Sequence, residues 1–203
     1  MKLFYHPVAP NPARVWFYLN EKGDAASSVE RVFVDIAQAE QRSPEFLQMN
    51  PRGVLPVLEM EDGSYLGESV AIIEYLEEKF PQPAMIGNTA EERAITRSRE
   101  RDIEMNVLLR IVRLVHATKS PLGLAPNPAV AEAENKQLPS GLERVDSWLA
   151  DGEFVMGIRP SIADCTLLAA LNFAQFGEIS ISEEYEHLQR WMQRSEEHTS
   201  ELQ

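Results

Sequence analysis

Apolar positions come in short blocks at the start of the chain and at helical spacing towards its end. "KLFY" (2–5) is a strand candidate, followed by the loop "HPVAPNP". Asn11-Pro12 has the form of a helix cap with proline at the first helical position. It predicts a helix through "ARVWFYLNEK" that stops at Gly23. "SVERVFVDI" (28–36) is rich in β-branched residues and predicts a second strand. Ser43-Pro44 repeats the cap-plus-proline form and opens a short helix, "EFLQMN". "VLPVLEM" and "SYLG", joined by a Glu-Asp-Gly turn, predict a hairpin. Ser69 then caps "VAIIEYLEEKF", where Val70, Ile73, Leu76 and Phe80 keep one helical stripe until Pro81. The strand–helix–strand start implies a right-handed crossover with parallel pairing. Residues 1–80 therefore read βαβαββα.

Residues 81–89, "PQPAMIGNT", read as a linker. From 90 to 194 the pattern is helical throughout. "AEERAITRSRERDIEMNVLLRIVRLVHATK" predicts one long helix, broken by "SPLGLAPNP". A helix over 129–149 follows, in which Pro139 predicts a kink or a late start. "SIADCTLLAALNFAQF" ends at Gly177, and "EEYEHLQRWMQR" is a last amphipathic piece. The expected fold class is an α/β domain followed by an all-helical domain.

Composition narrows the partners. The 203 residues are 44% hydrophobic and 25% charged, as in ordinary globular chains. The net charge of −13 disfavours nucleic acid and anionic membranes, which attract basic surfaces. No apolar stretch has the length of a membrane helix, and "MKLFYHPVAP" lacks a secretory h-region. One cysteine, Cys165, permits no intramolecular disulfide, and cytoplasm is the expected setting. The last ten residues, "RSEEHTSELQ", are what a common short-read sequencing adapter encodes when translated. Residues 195–203 are therefore set apart as a non-native tail, with the native C-terminus expected to be missing. Dropping all ten residues, with one Arg and three Glu, leaves a net charge of −11.

Two short stretches carry chemistry. "GVLPVL" (53–58) puts Pro56 inside an apolar run, where a central strand would need its N–H. A thioredoxin-like βαβ plus ββα domain places a cis-proline just before its third strand. That bend turns the main chain of the preceding residue, here Leu55, outward to pair with an extended ligand. A trans proline on an edge strand fits this segment equally well. In Glu68-Ser69, a serine at a helix start offers free N–H groups and a positive dipole end to a carboxylate. The glutamate beside it can pair with an ammonium. Together they suit an α-amino-acid head group, although Ser69 is equally accounted for as a helix cap.

At this point the sequence resembles the glutathione transferase family, in its cytosolic, bacterial-type form. "NPRGVLPVLEMEDGSYLGESVAIIEYLEEKFP" is similar to that family's glutathione-binding block. "FYHPVAPNPARVWFYLNEKG" resembles its opening strand, loop and helix, with a theta-, phi- or nu-like first loop. "SIADCTLLAAL" looks like its second-domain capping box, Ser161 with Asp164, and "YEHLQRWMQR" like its penultimate helix. The resemblance implies a thioredoxin-like N-terminal domain, an all-helical C-terminal domain and a homodimer. It also implies glutathione as co-substrate, a small electrophilic partner and a part in detoxification. Leu55 and Pro56 would hold the cysteinyl unit, Glu68 and Ser69 the γ-glutamyl end, and Gln41 and Arg42 the glycyl carboxylate. Val54 stands where relatives often carry a polar ligand-binding residue.

The catalytic position departs from the pattern. The protein must stabilise the glutathione thiolate, and a pKa depression of two units corresponds to about 2.7 kcal/mol. Relatives with a similar first loop supply a serine hydroxyl; Ala9 stands there instead. Asn11 could aim an amide at the sulfur, or simply cap the helix. Tyr5 could donate from the end of the first strand, or simply pack. The helix start adds a dipole and main-chain amides expected to be free at Ala13 and Arg14. Ala9, Pro10, Asn106, Arg110, Arg113 and His116 are the candidate walls of a co-substrate pocket. His6, His116, His187 and His198 have no metal-ligand spacing. With no cysteine before residue 165, exchange through a protein thiol is excluded. Two functions stay open. One is an enzyme, conjugating glutathione or using it to reduce peroxides or disulfides; the other is a ligand-binding or scaffold module of the same fold.

Overall fold

The computed structural model describes the backbone of residues 1–201 and the side chains of 1–195. The side chains of the adapter-like tail from 196 onward, His198 included, lie outside the described residues. The chain divides into two compact units, Met1–Ala84 and a second beginning at Met85.

The first unit runs β1 (Lys2–Tyr5), α1 (Pro10–Lys22), β2 (Glu30–Phe33), α2 (Pro44–Met49), β3 (Val57–Glu59), β4 (Tyr65–Gly67) and α3 (Ser69–Lys79). The sheet order is β2-β1-β3-β4, with β1–β2 parallel and the other pairs antiparallel. Short turns of 3-10 helix at Gly23–Ala26 and Glu40–Arg42 were not signalled by the periodicity. Strand alternation sends successive side chains to opposite faces. Phe4 and Val57 meet Phe46 of α2 on one face. Leu3 and Leu58, fully buried, point to the other, where α1 and α3 pack together.

A polar stripe joins those two helices. Arg14, Tyr18 and Lys22 fall at four-residue spacing along α1, one row of a helix. Arg14 Nε donates to Ser69 Oγ (2.7 Å), and Tyr18 Oη donates to Glu77 Oε2 (2.8 Å). The buried Lys22 ammonium meets Glu77 Oε2 at 2.6 Å, the Phe80 carbonyl at 2.7 Å and the Pro83 carbonyl at 2.5 Å. Three donors meet three acceptors, so the buried charge is satisfied. The cation also lies at the C-terminal ends of α1 and α3, where their dipoles favour it.

Helix starts differ from the sequence expectation in an informative way. α1 begins at Pro10 with Ala9 as its N-cap, so Asn11 is the second helical residue and caps nothing. The residue before a proline is driven to extended backbone, and Ala9 has φ −72 and ψ 125. Pro10 and Pro12 both fall in the first turn, where a missing N–H costs nothing. Likewise α3 begins at Ser69, and Glu68 is its N-cap.

In the second unit, α4 (Ala90–Ile103) continues through a π-helical stretch (Glu104–Leu108) into α5 (Leu109–Thr118). α6 (Pro128–Trp148), α7 (Ile162–Phe176) and α8 (Glu186–Glu201) follow. Thr89 and Glu92 form a capping box at the start of α4, a T-x-x-E signal present in the sequence. α6 runs through Pro139 rather than starting late, with Asn127 as its cap. Two residues beyond that proline, Gly141 lies against the π-helical stretch. A Cβ on Gly141 would come within 2.4 Å of the Asn106 carbonyl, so the two backbones meet where only glycine fits. Arg144 of α6 forks onto Asp102, Nε to Oδ2 at 3.0 Å and Nη2 to Oδ1 at 2.8 Å.

Asp164 organises the unit's interior. Its Oδ2 accepts from Ser161 N (2.9 Å) and Ser161 Oγ (2.8 Å), and its Oδ1 from Val155 N (2.8 Å) and Trp191 Nε1 (3.2 Å). One carboxylate thus fixes the start of α7, the preceding loop and α8. Burial pushes its pKa up from 3.8 to about 6, against the pull of those hydrogen bonds. The folded chain therefore holds this proton more tightly than the unfolded one. Protonation adds stability that is fully present below the unfolded value near 3.8 and is lost as pH rises to about 6. The unfolding free energy of the wild type, measured against Asp164→Asn, is expected to shrink by about 2 kcal/mol between pH 4 and pH 7. A difference that grows over that range in urea titrations would contradict it.

Candidate functional site

The two helix starts of the first unit meet at Arg14. This residue is only 3% exposed, and besides Ser69 it reaches Asn11, with Nη2 donating to Oδ1 at 3.1 Å. Because Arg14 takes the Asn11 oxygen, the amide nitrogen of Asn11 is the end left to donate elsewhere. The Ala13 amide, expected to be free, bonds Ala9 O at 3.0 Å, and helix geometry commits that of Arg14 to Pro10. With prolines at 10 and 12, the Asn11 N–H is the main-chain donor remaining in the first turn.

Ser69 is buried as the first residue of α3, its hydroxyl on Arg14. Glu68 before it has φ 65 and ψ 112, a conformation outside the usual left-handed well. A non-glycine residue held there costs on the order of 1–3 kcal/mol and persists where the surroundings impose it. Its carboxylate is not unpaired: Arg52 Nη1 contacts Glu68 Oε1.

Arg52 leads to the other predicted residues. Arg42 Nη1 donates to the Arg52 carbonyl at 3.1 Å. Gly53, with φ 59, leaves no space for a Cβ, which would stand 2.8 Å from the Gln41 carbonyl. The buried Gln41 Oε1 has no hydrogen-bond donor among the described residues. The Val54 carbonyl accepts from Asn50 Nδ2 (2.8 Å), while the Val54 side chain is 40% exposed. The Leu55–Pro56 bond is cis, and so is Gln82–Pro83, which the sequence reading did not single out. Leu55 turns its side chain to the Val34–Phe46–Val57 cluster. Its main-chain N–H and C=O have no hydrogen-bond partner among the described residues.

A connected trail therefore runs from Asn11 through Arg14, Ser69, Glu68, Arg52 and Arg42 to Gln41, with Leu55 two residues beyond Gly53. Ala9 and Pro10 sit at its α1 end. Tyr5 ends β1, its carbonyl accepting from Val34 N at 2.9 Å, and strand alternation puts its side chain on the face of Leu3. Among the described residues, no hydrogen bond or ion pair joins Tyr5 to the trail.

The four candidates in the second unit have other partners. Asn106 Nδ2 donates to Asp102 Oδ1 at 2.7 Å. Arg110 and Arg113 both reach Glu134 of α6, at 2.8 and 3.4 Å. His116 Nδ1 lies 2.8 Å from Ser120 Oγ, and burial lowers its pKa. Three of the four are thus held along the helix or against α6, and the fourth by the turn after α5. They do not converge on one point.

Residues 3–84 match the family model described as glutathione S-transferase, N-terminal domain, and residues 102–198 match glutathione S-transferase, C-terminal domain. The chain is 31% identical to glutathione S-transferase 2 of Saccharomyces cerevisiae, over 98% of this chain and 87% of that protein. It is 33% identical to maleylacetoacetate isomerase of Pseudomonas aeruginosa, over 86% of this chain and 82% of that one. Among solved structures, Gtt2 of Saccharomyces cerevisiae superposes with a TM-score of 0.85 at 31% identity, covering 96% of this chain and 95% of that chain. A glutathione S-transferase domain-containing protein of Marinobacter aquaeolei gives 0.86 at 31% identity, covering 96% and 97%.

The sequence reading missed the Arg14–Tyr18–Lys22 stripe. The signal was available: polar residues at four-residue spacing inside an otherwise apolar helix. Arg14→Lys keeps the charge but loses the planar fork that holds Ser69 and Asn11 together. It is expected to lower unfolding free energy by about 1–3 kcal/mol in urea titrations. A change within about 0.5 kcal/mol would show that the fork is incidental.

Proposed function

The chain belongs to the glutathione S-transferase family, and from that premise we propose that it binds glutathione along the trail from Asn11 to Gln41 and transfers it to small, mostly apolar electrophiles. The observation that carries this reading is the unpaired main chain of Leu55. A half-buried N–H and C=O side by side offer an extended thiol peptide the two hydrogen bonds of an added strand. Gln41 Oε1, buried without a donor, suits a ligand N–H at the glycyl end. Arg42 suits the glycyl carboxylate, Ser69 the γ-glutamyl carboxylate and Glu68 its ammonium.

Thiolate stabilisation falls to the start of α1. Ala9 brings no hydroxyl, so the Asn11 amide, with its oxygen already taken by Arg14, is the donor for sulfur. A hydrogen bond to a charged group contributes about 1.5–3 kcal/mol and a helix N-terminus about 0.3–1. Their sum covers the roughly 2.7 kcal/mol that a two-unit depression of the thiol pKa requires. The proposal includes a cytoplasmic homodimer and a co-substrate site that uses residues of the first loop, Ala9 and Pro10 among them. Ala9 and the exposed Val54 favour a second reading, a carrier that holds glutathione without turning it over.

Retention on immobilised glutathione and turnover of a generic aromatic electrophile are the expected results. Asn11→Ala should lower kcat/KM on the order of 10²-fold and lower unfolding free energy by about 1 kcal/mol, because Arg14 loses the Asn11 oxygen rather than because a cap is lost. Retention with no turnover in the wild type would support the carrier. Unchanged turnover in Asn11→Ala would remove that residue from the chemistry.

A further inference from the structure

We propose that Arg52 is a place-holder: it occupies the ammonium subsite on Glu68 in the free protein and is displaced by the α-ammonium of the incoming thiol peptide. The inference rests on the reading of Glu68 as the acceptor for that ammonium, and it adds a competition that sets which thiol peptides the site prefers.

The backbone around Arg52 is closely fixed. Its amide donates to Asn50 Oδ1 at 3.2 Å, and its carbonyl accepts from Arg42 Nη1 at 3.1 Å. The next amide, of Gly53, bonds Asn50 O at 2.9 Å. Gly53 in turn is wedged against Gln41 and Arg42, so a side chain could not be added at that position. The Arg52 side chain, by contrast, is 69% exposed and spans to a carboxylate that is 68% exposed. A rigid base thus aims a long, solvated cation at one carboxylate sixteen residues away.

The start of the Glu68 side chain is fixed by the backbone. That backbone is held at φ 65 by its place at the start of α3, where the Glu68 carbonyl accepts from Ile72 N at 3.0 Å. In a chain with a net charge of −13, an exposed carboxylate at this position attracts a cation. An exposed pair is weak and screened by salt, so a ligand ammonium that also gains contacts at Ser69 and Leu55 can replace it. A thiol peptide without the α-amino group has no such exchange to make, and it leaves the Arg52–Glu68 pair in place. Arg52 therefore taxes the ammonium-bearing ligand and shields the other from an exposed anion.

The test compares glutathione with its desamino analogue, in which hydrogen replaces the α-amino group, by calorimetry on the full chain. Arg52→Gln should tighten glutathione and weaken the analogue, raising the analogue-to-glutathione Kd ratio about two- to five-fold over wild type. Arg52→Lys, which keeps a cation, should stay near the wild-type ratio. If Arg52→Gln weakens both ligands alike, Arg52 touches the ligand directly and the place-holder is wrong. If it changes neither, the pair is an idle surface contact and the proposal also falls. Failure of the underlying reading has a separate signature: Glu68→Gln would not erase the discrimination, or the wild type would show none.

Discussion

The first unit depends on the clamp between α1 and α3. Both ends of the contact are held by cations that α1 carries two helical turns apart. At the far end Lys22 meets three acceptors at the C-termini of both helices, a placement that both dipoles favour. At the near end Arg14 draws the two N-termini together, and there the dipoles repel one another. Hydrogen bonds to Ser69 and Asn11 offset that repulsion. The result is a corner with two helix starts side by side, a place suited to carboxylate and thiolate. The strained backbone of Glu68 lies at the same corner.

Much of this architecture was legible in the residues. Strand β1 and the short helix behind Ser43-Pro44 follow directly from block hydrophobicity and capping chemistry, and Ser43 Oγ does accept from Phe46 N at 3.2 Å. The order of elements and the mixed sheet follow from the same pattern. What could not be read are features set by contact between distant segments. The Arg14 side chain carries no signal of its own in the sequence, and only its neighbour Ser69, fifty-five positions on, makes it a buried bridge. The start of α1 was misplaced because Asn-Pro and Ala-Pro both fit a helix entry, and the choice of the earlier proline frees Asn11 from capping. Arg52 gave no signal of its own, since its partner is fixed only once α3 is in place.

The second unit uses the same physics at greater depth. Asp164 replaces a set of separate caps by one buried carboxylate that serves three segments, so the interior carries a charge that water does not solvate. The π-helical stretch before α5 and Gly141 on α6 meet backbone to backbone, and the Asp102–Arg144 and Glu134–Arg110 pairs hold that contact from either side. Of the residues proposed from the sequence as a pocket wall, Arg110 and Arg113 take part in this stitching through Glu134. A stripe read from one helix cannot say which neighbour it faces, and here Glu134 of α6 supplies the acceptor for both arginines.

The central claim is that the Leu55 main chain and the start of α3 form one ligand edge. Amide chemical-shift mapping of isotope-labelled protein on addition of glutathione tests it most directly. The account predicts that the largest shifts fall at Leu55, Ser69 and Asn11, with little change at Leu188 in α8. Saturable binding with those amides unmoved, or with shifts centred in the second unit, would contradict it.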